Sequence, residues 1–201
     1  MNPFPAQKRP EIILTLLAAI VVLGMALRLY DLDGDSLWFD QIKVVLTARL
    51  DFVSILRSQE QSSVHPPLLY MLTRILFLLF RESGFVARLP AAMLGSFSIL
   101  LAYKVGESLW TRKEGLIGAL LLAVNAYDVR YSQEARDYAL MVFLALPSLI
   151  VLLKALRGNK KGLWIGFVLC TALSLYNHYF AFLFLPAEVL FGVWVIAGQW
   201  L

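Results

Sequence analysis

Pro66-Pro67-Leu68-Leu69-Tyr70-Met71-Leu72-Thr73-Arg74-Ile75-Leu76-Phe77-Leu78-Leu79-Phe80 is an apolar run with one charge, Arg74, in its middle. Its reading decides the fold. If it crosses a membrane, every later segment is inverted; if it lies on the surface, the later segments keep their sides. These 15 residues make a helix of about 22 Å, which falls short of a ~30 Å hydrocarbon core. Tyr70, Arg74 and Arg81 share one face, with Thr73 beside them. That pattern predicts an amphipathic helix lying in the membrane surface.

The rest of the chain supports this choice. Six apolar segments, 12–30, 89–110, 116–131, 139–156, 163–176 and 180–200, then read as crossings. Lys8, Arg9, Arg112, Lys113, Arg157, Lys160 and Lys161 fall together in compact loops on one side, as the positive-inside rule asks of the cytoplasmic face. Treating 66–80 as a crossing would put the Arg112-Lys113 and Lys160-Lys161 loops outside. The first apolar run passes straight into Arg28-Leu29-Tyr30 with no small-residue cleavage site, so it reads as a retained helix.

Composition agrees. Of 201 residues, 60% are hydrophobic and 16% charged, against ~45–50% and ~25% in soluble domains. The expectation is an all-α, polytopic transmembrane bundle forming one domain over 1–201. Its first extracytoplasmic loop would carry interfacial helices. The net charge of +4 is not gathered into a nucleic-acid footprint, so no nucleic-acid partner is expected. Cys170, the only cysteine, lies in an apolar run and reads as a small buried hydrophobe. His65 and His178 lack metal-motif spacing. The stretch 51–63 reads as a polar loop.

Ser36-Leu37-Trp38-Phe39-Asp40-Gln41 follows the first crossing. A carboxylate among interfacial aromatics is a candidate general base; the plainer alternative is that Asp40 caps the short helix after it. From Asp40 onward, Asp40, Lys43 and Thr47 share one helical face, and Ile42, Val45 and Leu46 another. On the adopted topology Asp40, His65, the Glu134/Arg136/Asp137 cluster and Asn177-His178 all reach the outer face. Each alone has a modest explanation, such as a Glu134–Arg130 helix pair or a turn residue before Pro66. Their convergence from four segments favours a site. Glu188, after Pro186 in an apolar helix, is a further intramembrane acid with no evident partner.

The ordered motifs S-L-W-F-D-Q, H-P-P-L-L-Y, R-L-P-A-A-M-L-G, Y-S-Q-E-A-R-D-Y and N-H-Y resemble the N-terminal half of GT-C membrane glycosyltransferases. They are most similar to family 39, with its protein O-mannosyltransferase-, aminoarabinose-transferase- and rhizobial galacturonosyltransferase-like members. The resemblance implies transfer of a sugar from a polyprenyl-phosphate donor to a lipid, glycan or protein acceptor. The reaction would occur at the extracytoplasmic face of the plasma (inner) membrane.

By motif, Asp40 corresponds to the catalytic Asp of the family's Asp-Glu pair. Glu134 and Arg136 lie in the family's second polar motif and His65 in its His-Pro-Pro motif. Arg74, Arg88, Asp137 and His178 complete the expected substrate-binding set from their place in the chain, with Arg136 and Arg74 or Arg88 expected to face the phosphate. The chain departs at Gln41, where the family usually has Glu. A divalent metal accompanies the donor in some GT-C relatives, but no ligand set is legible here. Family members usually continue with more helices, so the domain reads as the N-terminal portion of a longer module. The competing class is a non-catalytic membrane protein: a transporter of lipid-linked substrates or an inactive relative. Transporters place ionisable residues near the midplane, whereas here, Glu188 apart, they sit at helix ends.

Overall fold

The computed structural model describes residues 10–58, 67–158, 160–194 and 197. Among them there are ten α-helices, one 3-10 helix and no strand. The molecule is an all-α helical membrane protein. Three helices are long and apolar enough to cross a bilayer unaided: α1 (Pro10–Leu29), α5 (Gly84–Leu109) and α8 (Tyr138–Gly158). The other three expected crossings coincide with shorter elements. These are α6 (Arg112–Val124) with α7 (Ala126–Ser132), then α9 (Lys161–Asn177), then the 3-10 helix Tyr179–Leu183 with α10 (Phe184–Trp194).

Between α1 and α5 lie three short helices, α2 (Phe39–Ala48), α3 (Phe52–Ser58) and α4 (Leu68–Leu79). The decisive run is therefore a 12-residue helix, too short to span. Its faces differ from the expectation. Leu69, Tyr70, Thr73 and Phe77 are buried, while Ile75, Leu78 and Leu79 are exposed. Tyr70 and Thr73 thus meet protein rather than water, since α4 packs against α2 and α5.

Four further differences have local causes. The stretch 51–63 is not all loop, because Asp51 caps α3. Its Oδ1 accepts from the Val53 and Ser54 amides and its Oδ2 from the Ser54 hydroxyl. The Ser54 hydroxyl bond first, then the amides, hold this carboxyl below the usual range. Residues 59–63 lie outside the described residues. Next, α5 starts five residues before the expected 89, because the Ser83 Oγ accepts from the Val86 amide as an N-cap. Pro90 then falls inside the helix, in its second turn, and leaves the Val86 carbonyl without its intrahelical donor. The segment 116–131 is broken at Asn125, whose Oδ1 caps α7 by accepting from the Asp128 amide. On α2, finally, Gln41, Val44 and Ala48 are buried and Ile42 and Leu46 exposed.

Helix α5 is the hub, packing against α1, α4, α6, α7 and α8. It meets α6 where two glycines face each other. A Cβ on Gly106 would come 2.7 Å from the Gly115 Cα, so a side chain at this crossing is excluded. Small residues allow such close approach where lipid supplies no hydrophobic drive between helices. The partner of Glu188 is Ser148 on α8, joined by a hydrogen bond.

The largest polar group inside the bundle is Arg28, fully buried at the end of α1. Its guanidinium donates to the carbonyls of Gly24 (2.9 Å), Ala123 (3.2 Å) and Leu122 (3.0 Å), and to the Asp128 carboxylate. Helix α6 ends at Val124, so its last carbonyls lack intrahelical donors. Arg28 supplies them and pins the α6–α7 break to α1.

Candidate functional site

The polar residues meet at the end of the bundle where α1 and α7 finish and α2, α5 and α8 begin. The chain turns there through Asp31, the only described non-glycine residue with positive φ (51°). Aspartate tolerates that left-handed conformation better than most side chains. The Asp31 carbonyl accepts from the Gly34 amide to close the turn (3.0 Å). Gln133, just past α7, donates from its Nε2 to the carbonyls of Leu27 (3.1 Å) and Tyr30 (2.9 Å). These bonds fix the loop after α7 against the end of α1.

Arg88 braces the same region from α5. It is 2% exposed. It donates to the carbonyls of Leu32 (2.8 Å), Asp35 (2.8 Å) and Ser36 (3.3 Å), and from Nε to the Gln41 Oε1 (3.1 Å). The guanidinium therefore holds the 32–36 turn and α2 in place. Beside it is an open recess lined in part by Asp31, Asp35, Gln41, Arg130 and Glu134. Arg130 crosses its rim, pairing with Glu134 (3.2 Å) and Asp35 (3.4 Å).

Asp40 stands in the first turn of α2. Trp38 is the residue at the N-cap, and its side chain makes no capping bond. Asp40 is thus one step inside the helix, where its charge suits the positive dipole end. Its carboxylate is more than half exposed and lies 3.4 Å from the Arg136 guanidinium. Arg136 also lies over the Tyr138 ring, 4.7 Å from its centroid, within cation–π range. A row of rings runs on from there: Tyr131–Tyr138 (4.8 Å), Tyr138–His178 (5.5 Å) and His178–Phe180 (5.0 Å). The His178 Nδ1 accepts from the Phe180 amide, so in the neutral ring the proton sits on Nε2.

The predicted residues fall into groups. Asp40 and Arg136 are in contact; Glu134 and Arg88 border the recess; His178 and Tyr138 form the wall beside Arg136. Asp137 is buried, and its carbonyl accepts from the Asn177 Nδ2 (3.1 Å), tying the start of α8 to the end of α9. Arg74 donates to the Arg49 carbonyl (3.2 Å), at the far end of α2. Nine residues of helix separate that point from Asp40, about 13 Å. His65 lies outside the described residues. Among those described, no group of three or more His, Cys, Asp or Glu is placed to hold a metal ion.

The contributor that a sequence reading does not single out is Gln133, and the bonds made by Asn177 and, in part, by Gln41 are as hard to foresee. Each of the three bonds at least one backbone group, which leaves no side-chain pattern to read.

An all-α membrane protein with a carboxylate–guanidinium pair at one end of its bundle defines the class. Within that class, the chain belongs to the dolichyl-phosphate-mannose-protein mannosyltransferase family, whose model matches residues 64–201, about two thirds of its length. It is therefore a membrane glycosyltransferase of a family that draws on lipid-linked sugars. Neither the curated proteins nor the solved structures contain a significant match.

Proposed function

We propose that the chain is a GT-C enzyme of the family 39 type. It moves a sugar from a polyprenyl-phosphate donor to an acceptor hydroxyl at the extracytoplasmic face of the plasma (inner) membrane. The observation that carries the reading is the Asp40–Arg136 pair, an accessible carboxylate 3.4 Å from an accessible guanidinium. Asp40 takes the proton from the acceptor hydroxyl as that oxygen attacks the anomeric carbon. The bond between the anomeric carbon and the phosphate oxygen breaks, and polyprenyl phosphate leaves as an anion. Because the leaving group departs as a stable anion, it needs no general acid. Arg136 lies beside Asp40 and meets that charge through charge-assisted hydrogen bonds.

Glu134, with Arg130, borders the sugar or acceptor, and the ring of His178 closes the wall behind Arg136. Lys104, Arg112, Lys113, Lys154, Arg157, Lys160 and Lys161 are exposed at the opposite ends of the helices. That placement supports a cytoplasmic location for those ends and an outward-facing site.

The test is donor turnover in membranes carrying the chain, with radiolabelled polyprenyl-phosphate sugars. Label should pass to an acceptor as free polyprenyl phosphate appears; an intact donor for every sugar tried would refute the reading. Arg136 gives a graded version. Arg136→Ala should cut donor use by about 10–100-fold, on the scale of one or two lost bonds to a charged group. Arg136→Lys should lose less, keeping the charge but not the planar fork. Wild-type rates in both variants would remove Arg136 from the site.

A further inference from the structure

We infer that Gln41 is a positioning residue. Its amide oxygen fastens the helix that carries Asp40 to the loop that carries Arg136. The inference deepens the proposed role of that pair and rests on it.

Two adjacent rungs join α2 to the 133–137 loop. The outer rung is Asp40 with Arg136, at 3.4 Å. Its side chains are 56% and 27% exposed, so solvent screens the attraction and the rung holds its register weakly. The inner rung is one residue further on in α2 and one residue earlier in the loop. There the Gln41 Oε1 accepts from the Ala135 amide at 3.4 Å. Gln41 is 2% exposed and Ala135 fully buried, so water does not compete for this bond.

The same oxygen accepts from the Arg88 Nε at 3.1 Å. Arg88 is itself braced by the Leu32, Asp35 and Ser36 carbonyls. One amide oxygen is therefore the meeting point of α2, α5, the 32–36 turn and the 133–137 loop. Both groups that reach it are donors only, which fixes the amide with its oxygen toward them. Successive helical residues point about 100° apart. With Gln41 locked inward, Asp40 is turned outward to the loop. The neighbouring amide does the same for Arg136. What position 41 must supply is a hydrogen-bond acceptor; the negative charge of a carboxylate is not needed, because backbone carbonyls already surround Arg88.

The test compares Gln41→Met, similar in length but with only a weak thioether acceptor, with Gln41→Glu, which keeps the acceptor. In a Cys170→Ala background, Arg136→Cys removes the outer rung and reports on the loop. Lys161→Cys, at the other end of the bundle, reports on the fold as a whole. Gln41→Met should speed N-ethylmaleimide labelling at position 136 about ten-fold, the scale of one lost hydrogen bond, and leave position 161 unchanged. Gln41→Glu should label at the parent rate.

With Arg136 intact, Gln41→Met should lower the transfer rate by up to about 100-fold, on the scale of a small misplacement of reacting groups. The KM for the polyprenyl-phosphate sugar should change little, and Gln41→Glu should restore the rate. Unchanged labelling at 136, an equal rise at both positions, or no rescue by Glu would overturn the inference. Local loosening at 136 with undiminished transfer would leave the fastening intact and sink the reading of Asp40 and Arg136 as the reacting pair.

Discussion

Asp40→Asn is expected to abolish sugar transfer while the protein expresses and inserts at wild-type levels. The substitution keeps the size of the side chain and removes its capacity to take a proton. Loss of a general base typically costs ~10²–10⁴ in rate. The structural cost should be small for two reasons. Trp38, not Asp40, occupies the N-cap, so no capping bond is lost. The contact with Arg136 is solvent-exposed, and such pairs contribute at most about 1 kcal/mol. Initial rates with a labelled donor, normalised to protein in the membrane, make the check. If most turnover survives at equal protein, Asp40 serves only the helix dipole and the mechanism fails at its centre.

Arg28→Leu is expected to destabilise the bundle severely. The guanidinium is fully buried and serves three carbonyls and the Asp128 carboxylate. Removing it leaves the Leu122 and Ala123 carbonyls at the end of α6 without this donor and Asp128 without its counter-charge. Breaking one partner out of a buried pair typically costs ~3–5 kcal/mol. The double variant Arg28→Leu/Asp128→Leu should recover part of the loss, because the orphaned charge goes too. Thermal unfolding in nanodiscs distinguishes these cases. A single variant as stable as wild type, or a double variant worse than the sum of both singles, would show that Arg28 does not hold the α6–α7 break.

Apolar length and charge placement made the outline legible. The 66–80 run was too short to cross and carried Arg74, and α4 is indeed a short helix packed beside α2 and α5. Local chemistry was harder to weigh. Asp51 as a cap and Ser83 as a start signal were present in the sequence. The polar character of 51–63, and an apolar run that begins only at 89, outweigh them there.

At the site, charged residues announced themselves by type, and Asp40 and Arg136 are in contact. Their neighbours did not separate so easily. Arg88 and Arg74 read alike as phosphate ligands, yet one is locked around backbone carbonyls and the other sits at the far end of α2. Burial and partner choice, set by folding across 50 or so residues of intervening chain, are absent from any local pattern. Arg28 shows the same limit. As the last charge of an apolar helix it resembles a snorkelling residue, and only the broken end of α6 reveals what it binds.

One measurement bears most directly on the claim that this end of the bundle is an outward-facing centre for sugar transfer. Sealed vesicles of known sidedness carry the wild-type chain or Asp40→Asn and receive the same radiolabelled polyprenyl-phosphate sugar in the outer leaflet. Right-side-out wild-type vesicles should transfer label to acceptors on their exposed face, and inside-out vesicles and Asp40→Asn should not. Transfer confined to inside-out vesicles, or equal transfer with and without the Asp40 carboxylate, would contradict it.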